Sequence, residues 1–249
     1  MLIEVFLKCM KEKDFRSKTV VFVSQCILNQ NLRFPGIAVA GGACRKVVEM
    51  LLRHDLGIEP IPCLERLGWG GVTRKSYFRY QDLMLRSSGT LLSGALMCLA
   101  RIWIFRYSLL CRREAKKITL LIEDYRASDY SVIGIISMND SPTDGVTKTI
   151  DLVNAPGKIR ALKINPHLFK SPDIVSMKEV IQNLCEQGTG IFISSLQHAL
   201  ERKRIAIKMV GFDPWADHEA ESQRIEQELG LVGMIPSLSH QSRKQEVRK

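Results

Sequence analysis

Short apolar, β-branched runs alternate along this chain with stretches of helical period, and several of the runs end in turns bearing polar or thiol side chains. Residues 19–24 (TVVFVS), 58–61 and 131–137 (SVIGIIS) read as buried strands. Between them, 41–55 carries Val47, Val48, Leu51 and Leu52 at helical spacing. Residues 83–113 and 114–127 read as two helices, the second with Ile118, Leu121, Ile122 and Tyr125 on one face. A stretch rich in Pro, Gly and Asn over 138–170 offers only short extended pieces. After it the pattern predicts a helix over 175–186 stopped near Gly188, strands over 190–194 and 205–210, and a closing helix over 219–229. Strands alternating with helices predict an α/β fold, a mainly parallel sheet with helices on both faces.

A chain of 249 residues is long enough for one such domain with a full core. The expectation is a single Rossmann-like three-layer domain over 1–235, with a helical insertion around 83–113 and a basic flexible tail over 236–249. The formal net charge of +10 favours anionic partners. Much of that excess falls on solvated helix faces and the tail, and basic residues do not alternate with aromatic ones, which disfavours a nucleic-acid platform. Seven cysteines form no compact disulfide framework, and the N-terminal segment with Glu4 and charges over 11–18 does not read as a signal peptide. A reducing cytoplasm is the expected setting. The apolar stretch 91–111 contains Arg101 and Arg106, each costing roughly 2.5–3.5 kcal/mol at a bilayer centre. Five residues apart on a helix, they lie about 140° from one another and cannot share a polar face. The stretch is expected to pack on the domain, and no membrane partner is expected.

Three turns follow the first three strands: Ser24 to Asn29, Pro62 to Glu65, and Asn139 to Gly145. Ligands of open parallel sheets bind outside the carboxyl ends of the strands, so Cys26, Cys63, Glu65, Asp140, Ser141 and Asp144 should gather at one edge. Two thiolates there suit zinc, copper(I) or an iron–sulfur cluster, whereas a closed structural zinc site usually shows closely spaced cysteine pairs, which are missing here. Spacing alone favours two small buried thiols, since free cysteine is among the most buried residues. Gly41-Gly42 and Gly188-Thr189-Gly190 offer backbone donors, but neither is a full dinucleotide fingerprint. The five histidines show no metal-ligand spacing among themselves.

The segment from Cys26-Ile27-Leu28-Asn29 to Arg33-Phe34-Pro35-Gly36 resembles the opening motif of the 2-thiouracil desulfurase family, Cys-Leu-Leu-Gly followed by Arg-Tyr-x-Gly. Cys63-Leu64-Glu65 is similar to that family's Cys-Pro-Glu, with Arg74 where the family has an arginine closing the loop. Ser141-Pro142-Thr143-Asp144-Gly145 is similar to Ser-Pro-Ser-Cys-Gly. The resemblance covers about residues 19–150 and marks a divergent, longer branch.

The resemblance implies a 4Fe–4S cluster held by Cys26, Cys63 and the residue at position 144, with one iron open to a small thiolated substrate. Position 144 departs from the family, because Asp144 offers a carboxylate oxygen, a harder ligand than thiolate. Asp144 ligates the cluster, or Cys44 or a partner's residue completes it, or the site holds another metal or none. Glu65 is implied as the base that takes a proton from the attacking water, and Ser141 as the hydroxyl that orients substrate or water. Arg33, Arg74 and Asn29 are expected to bind substrate. The implied activity is hydrolytic desulfurisation of a thiolated nucleobase or similar heterocycle. The alternatives are a non-catalytic iron–sulfur or redox-sensing module, which makes no use of Glu65 and Ser141, and a protein acting on thiolated RNA.

Overall fold

The computed structural model describes residues 15–79, 92–169 and 172–233. In chain order the elements are β1 (Thr19–Ser24), α1 (Gln25–Leu28), α2 (Arg45–Arg53), β2 (Gly57–Ile61), α3 (Leu64–Gly68), α4 (Leu92–Ala127), β3 (Ser131–Met138), β4 (Lys148–Ile150), α5 (Ala155–Ala161), α6 (Ile174–Leu184), β5 (Cys185–Gln187), α7 (Ile191–Arg202), β6 (Met209–Phe212) and α8 (His218–Glu228). Strands β2, β1, β3 and β6 form a parallel sheet in that order. The expected α/β class with a mainly parallel sheet is what the chain adopts.

Period-two alternation sorts the strand side chains onto two faces. Val21 and Val23 of β1 join Ile136, Met138, Val210 and Phe212 in a core closed by Val47, Met50 and Leu51 of α2 and Ile225 of α8. Val20 and Phe22 point the other way, into a core with Ile135, closed by α4 and by Phe192, Leu196 and Leu200 of α7. A third, smaller core joins Ile37 and Ile150 to α5 and α6 and stands over the carboxyl edge of the sheet. The antiparallel β4–β5 pair belongs to this layer. Of this layer the sequence predicts only the helix α6; β4 and α5 were not legible in the irregular composition of 138–170.

Several expected boundaries move. The two helices predicted over 83–113 and 114–127 are, from Leu92 onward, one continuous helix of 36 residues, about 54 Å long; 83–91 and the tail 236–249 lie outside the described residues. The stretch 91–111, expected to pack on the domain, does so only in part, through Leu96, Tyr107 and Cys111. Tyr107, Cys111, Ala115, Ile118 and Ile122 recur at helical spacing and are buried, whereas Leu99, Ile102, Phe105 and Leu109 are exposed. By length and composition α4 is apolar enough to cross a bilayer.

The strand predicted over 190–194 is instead the first turn of α7, since a four- or five-residue apolar run carries no period that separates strand from buried helix. The strand predicted over 205–210 lies later, at Met209–Phe212. Ile205 and Ile207 pack on the sheet's core without joining the ladder. Helix 175–186 ends at Leu184, and Cys185 turns into β5.

Candidate metal and substrate site

The three strand-end turns converge as the topology demands. Cys26, Cys63, Glu65, Asp140, Ser141 and Asp144 line a single cavity together with Arg33. Adjacent parallel strands deliver these turns side by side: β1 leads to Cys26, β2 to Cys63 and Glu65, and β3 to the 139–145 loop.

The first turn is braced from beneath. Gln30, fully buried, donates through Nε2 to the Cys26 carbonyl at 2.7 Å and to Cys44 Sγ at 3.2 Å, and its Oε1 accepts from the Val39 amide at 3.0 Å. Arg33 is buried and donates through Nε to the Ile37 carbonyl at 3.4 Å, while its Nη2 has no hydrogen-bond partner. Asn29 is exposed and accepts from Asn31, closing its own turn. It does not reach the cavity, which corrects its expected substrate contact.

Arg74 is completely buried behind the second turn. Its Nη2 donates to the Leu32 carbonyl at 2.6 Å and Cys63 Sγ at 3.4 Å, and stands 3.7 Å from Glu65 Oε2. Nη1 donates to the Gly71 carbonyl at 2.7 Å. Arg74 is absent from the cavity wall, so its contacts make it a post that fixes Cys63 and Glu65 rather than a clamp on substrate.

The third turn is wound around Ser141. Its Oγ accepts from the amides of Thr143 and Asp144 at 3.1 and 3.0 Å and donates to Glu65 Oε1 at 3.0 Å. Turn chemistry and site chemistry therefore meet in one hydroxyl. Asn139 ties the loop's return by accepting from the amides of Val146 and Thr147, both at 3.1 Å. The N-terminus of α7 completes the scaffold: the amides of Ile191 and Phe192 donate to the carbonyls of Pro142 and Thr143, each at 3.0 Å. A Cβ at Gly190 would collide with the Thr143 carbonyl, so glycine is required there for close approach.

Negative charge is costly in this cavity. Burial and then Glu65 push the Asp144 carboxyl up to about 7, against a small opposing pull from Ser24 and Arg33. Burial raises Cys26 well above the ordinary thiol range, with Asp144 the next contributor. Cys63 is pushed up to about 11 by burial, then by Glu65 and Asp144. Two thiols and two carboxyls thus compete for too little positive charge, and a bound cation would reverse each shift by favouring the deprotonated ligand.

The donor set fits a metal group. Cys26 and Cys63 are free thiols, and Asp144 Oδ1 is buried without a hydrogen-bond partner. Among the described residues, no three His, Cys, Asp or Glu side chains converge tightly enough to hold a single metal ion. Cys44 is held by Gln30 and does not line the cavity. Cys111, which sequence reasoning passed over, feels Asp144 from the α4 side but lies in the core behind the wall.

Sequence reasoning also missed the aromatic wall, Phe34, Trp69 and Tyr77, the last two stacked with centroids 4.8 Å apart. It missed the apolar lobe supplied by α5 and α6 as well. Aromatic residues soon after Cys63 were the available signal.

No known family's sequence profile matches the chain, and no solved structure matches it. An uncharacterized protein of Methanocaldococcus jannaschii is 27% identical over 137 residues, covering 53% of this chain and 71% of that relative.

Proposed function

We propose that this chain is a hydrolytic desulfurase that replaces sulfur by oxygen in a small thio-heterocycle, using a 4Fe–4S cluster held by Cys26, Cys63 and Asp144. The observation that carries the reading is the convergence of these three side chains, from three separate strand ends, on one cavity that also contains the Glu65–Ser141 pair. When bound, the cluster supplies Lewis-acid polarisation of the thiocarbonyl carbon. The net reaction consumes water and releases hydrogen sulfide.

The chain's own residues do the rest. Glu65 accepts the proton of the attacking water at a carboxylate oxygen, held in place by the Ser141 hydroxyl on one side and by Arg74 on the other. Fixing the base between a donor and a cation lowers the reorganisation needed during proton transfer. Arg33, which lines the cavity and whose Nη2 has no hydrogen-bond partner in the chain, donates to an oxygen or nitrogen acceptor of the ring. Trp69, Tyr77 and Phe34 flank the ring and limit the water that reaches it.

The test is anaerobic reconstitution with iron and sulfide, a visible spectrum, and sulfide release from 2-thiouracil and related thio compounds. Broad absorbance near the visible brown together with sulfide release supports the reading. A chain that takes up no iron overturns it, and a stable cluster without turnover on any thio compound assigns a binding or sensing role instead.

A further inference from the structure

The cavity has two ends of opposite chemistry. The polar end holds the thiols, carboxyls and Arg33; beyond it the wall becomes wholly apolar, built by Phe34, Ile150, Ala155, Ile159, Met177 and Ile181. All but Phe34, which follows β1 in the chain, come from β4, α5 and α6, the layer over the sheet edge. A bare polar heterocycle has nothing to place against such a wall. Apolar surface facing a cavity gains by excluding water in proportion to the area a ligand covers. Polar atoms without hydrogen-bond partners, Arg33 Nη2, Asp140 Oδ1 and Asp144 Oδ1 among them, mark the opposite end as the one that engages polar groups.

We propose that the ligand of this cavity is a heterocycle carrying a short apolar arm, its polar edge at Arg33 and the cysteines and its arm in the lobe between α5 and α6. The heterocycle and its thio group rest on the desulfurase reading; the arm does not. The arm adds specificity that the three strand-end turns cannot supply, since all the lobe's residues except Phe34 come from the later layer. Ala155, at the start of α5, is the smallest of the side chains named for the lobe.

The experiment titrates the full chain with unreactive oxygen analogues, uracil and its 5- and 6-methyl, ethyl and propyl derivatives, by calorimetry. Burying each added carbon tightens binding about fourfold, so propyl in the better series binds about sixtyfold more tightly than uracil. Ala155→Leu removes that gain. Should that variant fail to fold, Ile181→Ala serves in its place and shifts the preferred arm to a longer one. Affinity that is flat across both series, or a gain untouched by both variants, overturns the proposal, as does failure of every member to bind. Sulfide assays on the thio counterparts run separately. A chain-length gain without sulfide release keeps the arm and removes the reaction; sulfide release with flat affinities does the reverse.

Discussion

Replacing Asp144 with Asn makes the cost of charge in the cavity measurable. The carboxyl is 6% exposed, and burial beside Glu65 moves it from 3.8 to about 7. At 1.36 kcal/mol per unit, ionising it in the folded chain costs about 4 kcal/mol. The sign follows from linkage: between the unfolded and folded values the unfolded chain releases this proton first, so stability falls as pH rises. The loss is complete above about 7 and absent well below 3.8. From pH 5 to pH 7 the wild-type chain without reconstituted cluster should lose about 2 kcal/mol through this group. Asp144→Asn lacks that loss. Urea unfolding of both forms at pH 5, 6 and 7 reads it as a gap in stability that widens with pH in favour of the variant. Bound iron should reverse the trend, since it holds the carboxylate deprotonated. A gap that stays constant over this window refutes the buried, cation-seeking carboxyl on which the metal assignment leans.

Three further outcomes follow from the same geometry. Cys63→Ala should lose both the cluster's absorbance and sulfide release after reconstitution, and retention of either removes Cys63 from the ligand set. Glu65→Gln should keep the cluster and lower turnover by about 10²–10⁴-fold; wild-type turnover would free Glu65 from the role of base. Gly190→Ala should destabilise the chain by about 1–3 kcal/mol by forcing α7 away from the Thr143 carbonyl, read as a lowered unfolding midpoint; an unchanged midpoint would mean the loop yields freely.

The strand ends were readable because β1 and β3 are β-branched runs buried on both faces, and because parallel order sends their following turns to one edge. That logic located Cys26, Cys63, Glu65, Ser141 and Asp144. It failed where a local signal was short or ambiguous. The run at 190–194 looks like a strand by composition, yet its amides are satisfied by the 142–143 carbonyls, a tertiary contact no window of sequence contains. Asn29 follows Cys26 closely in sequence but faces away, because Asn31 draws its side chain into a local turn.

The sequence by itself determined the fold class and the edge at which its chemistry gathers, since hydrophobic period and strand order are properties of the chain alone. Only the tertiary structure decided what surrounds that edge. It buried Arg74 as a post beneath Cys63 and Glu65, left Arg33 Nη2 and Asp144 Oδ1 without partners, and raised an apolar layer opposite them. Burial, charge coupling and cavity shape arise from residues distant in sequence meeting in space, and no local pattern encodes them.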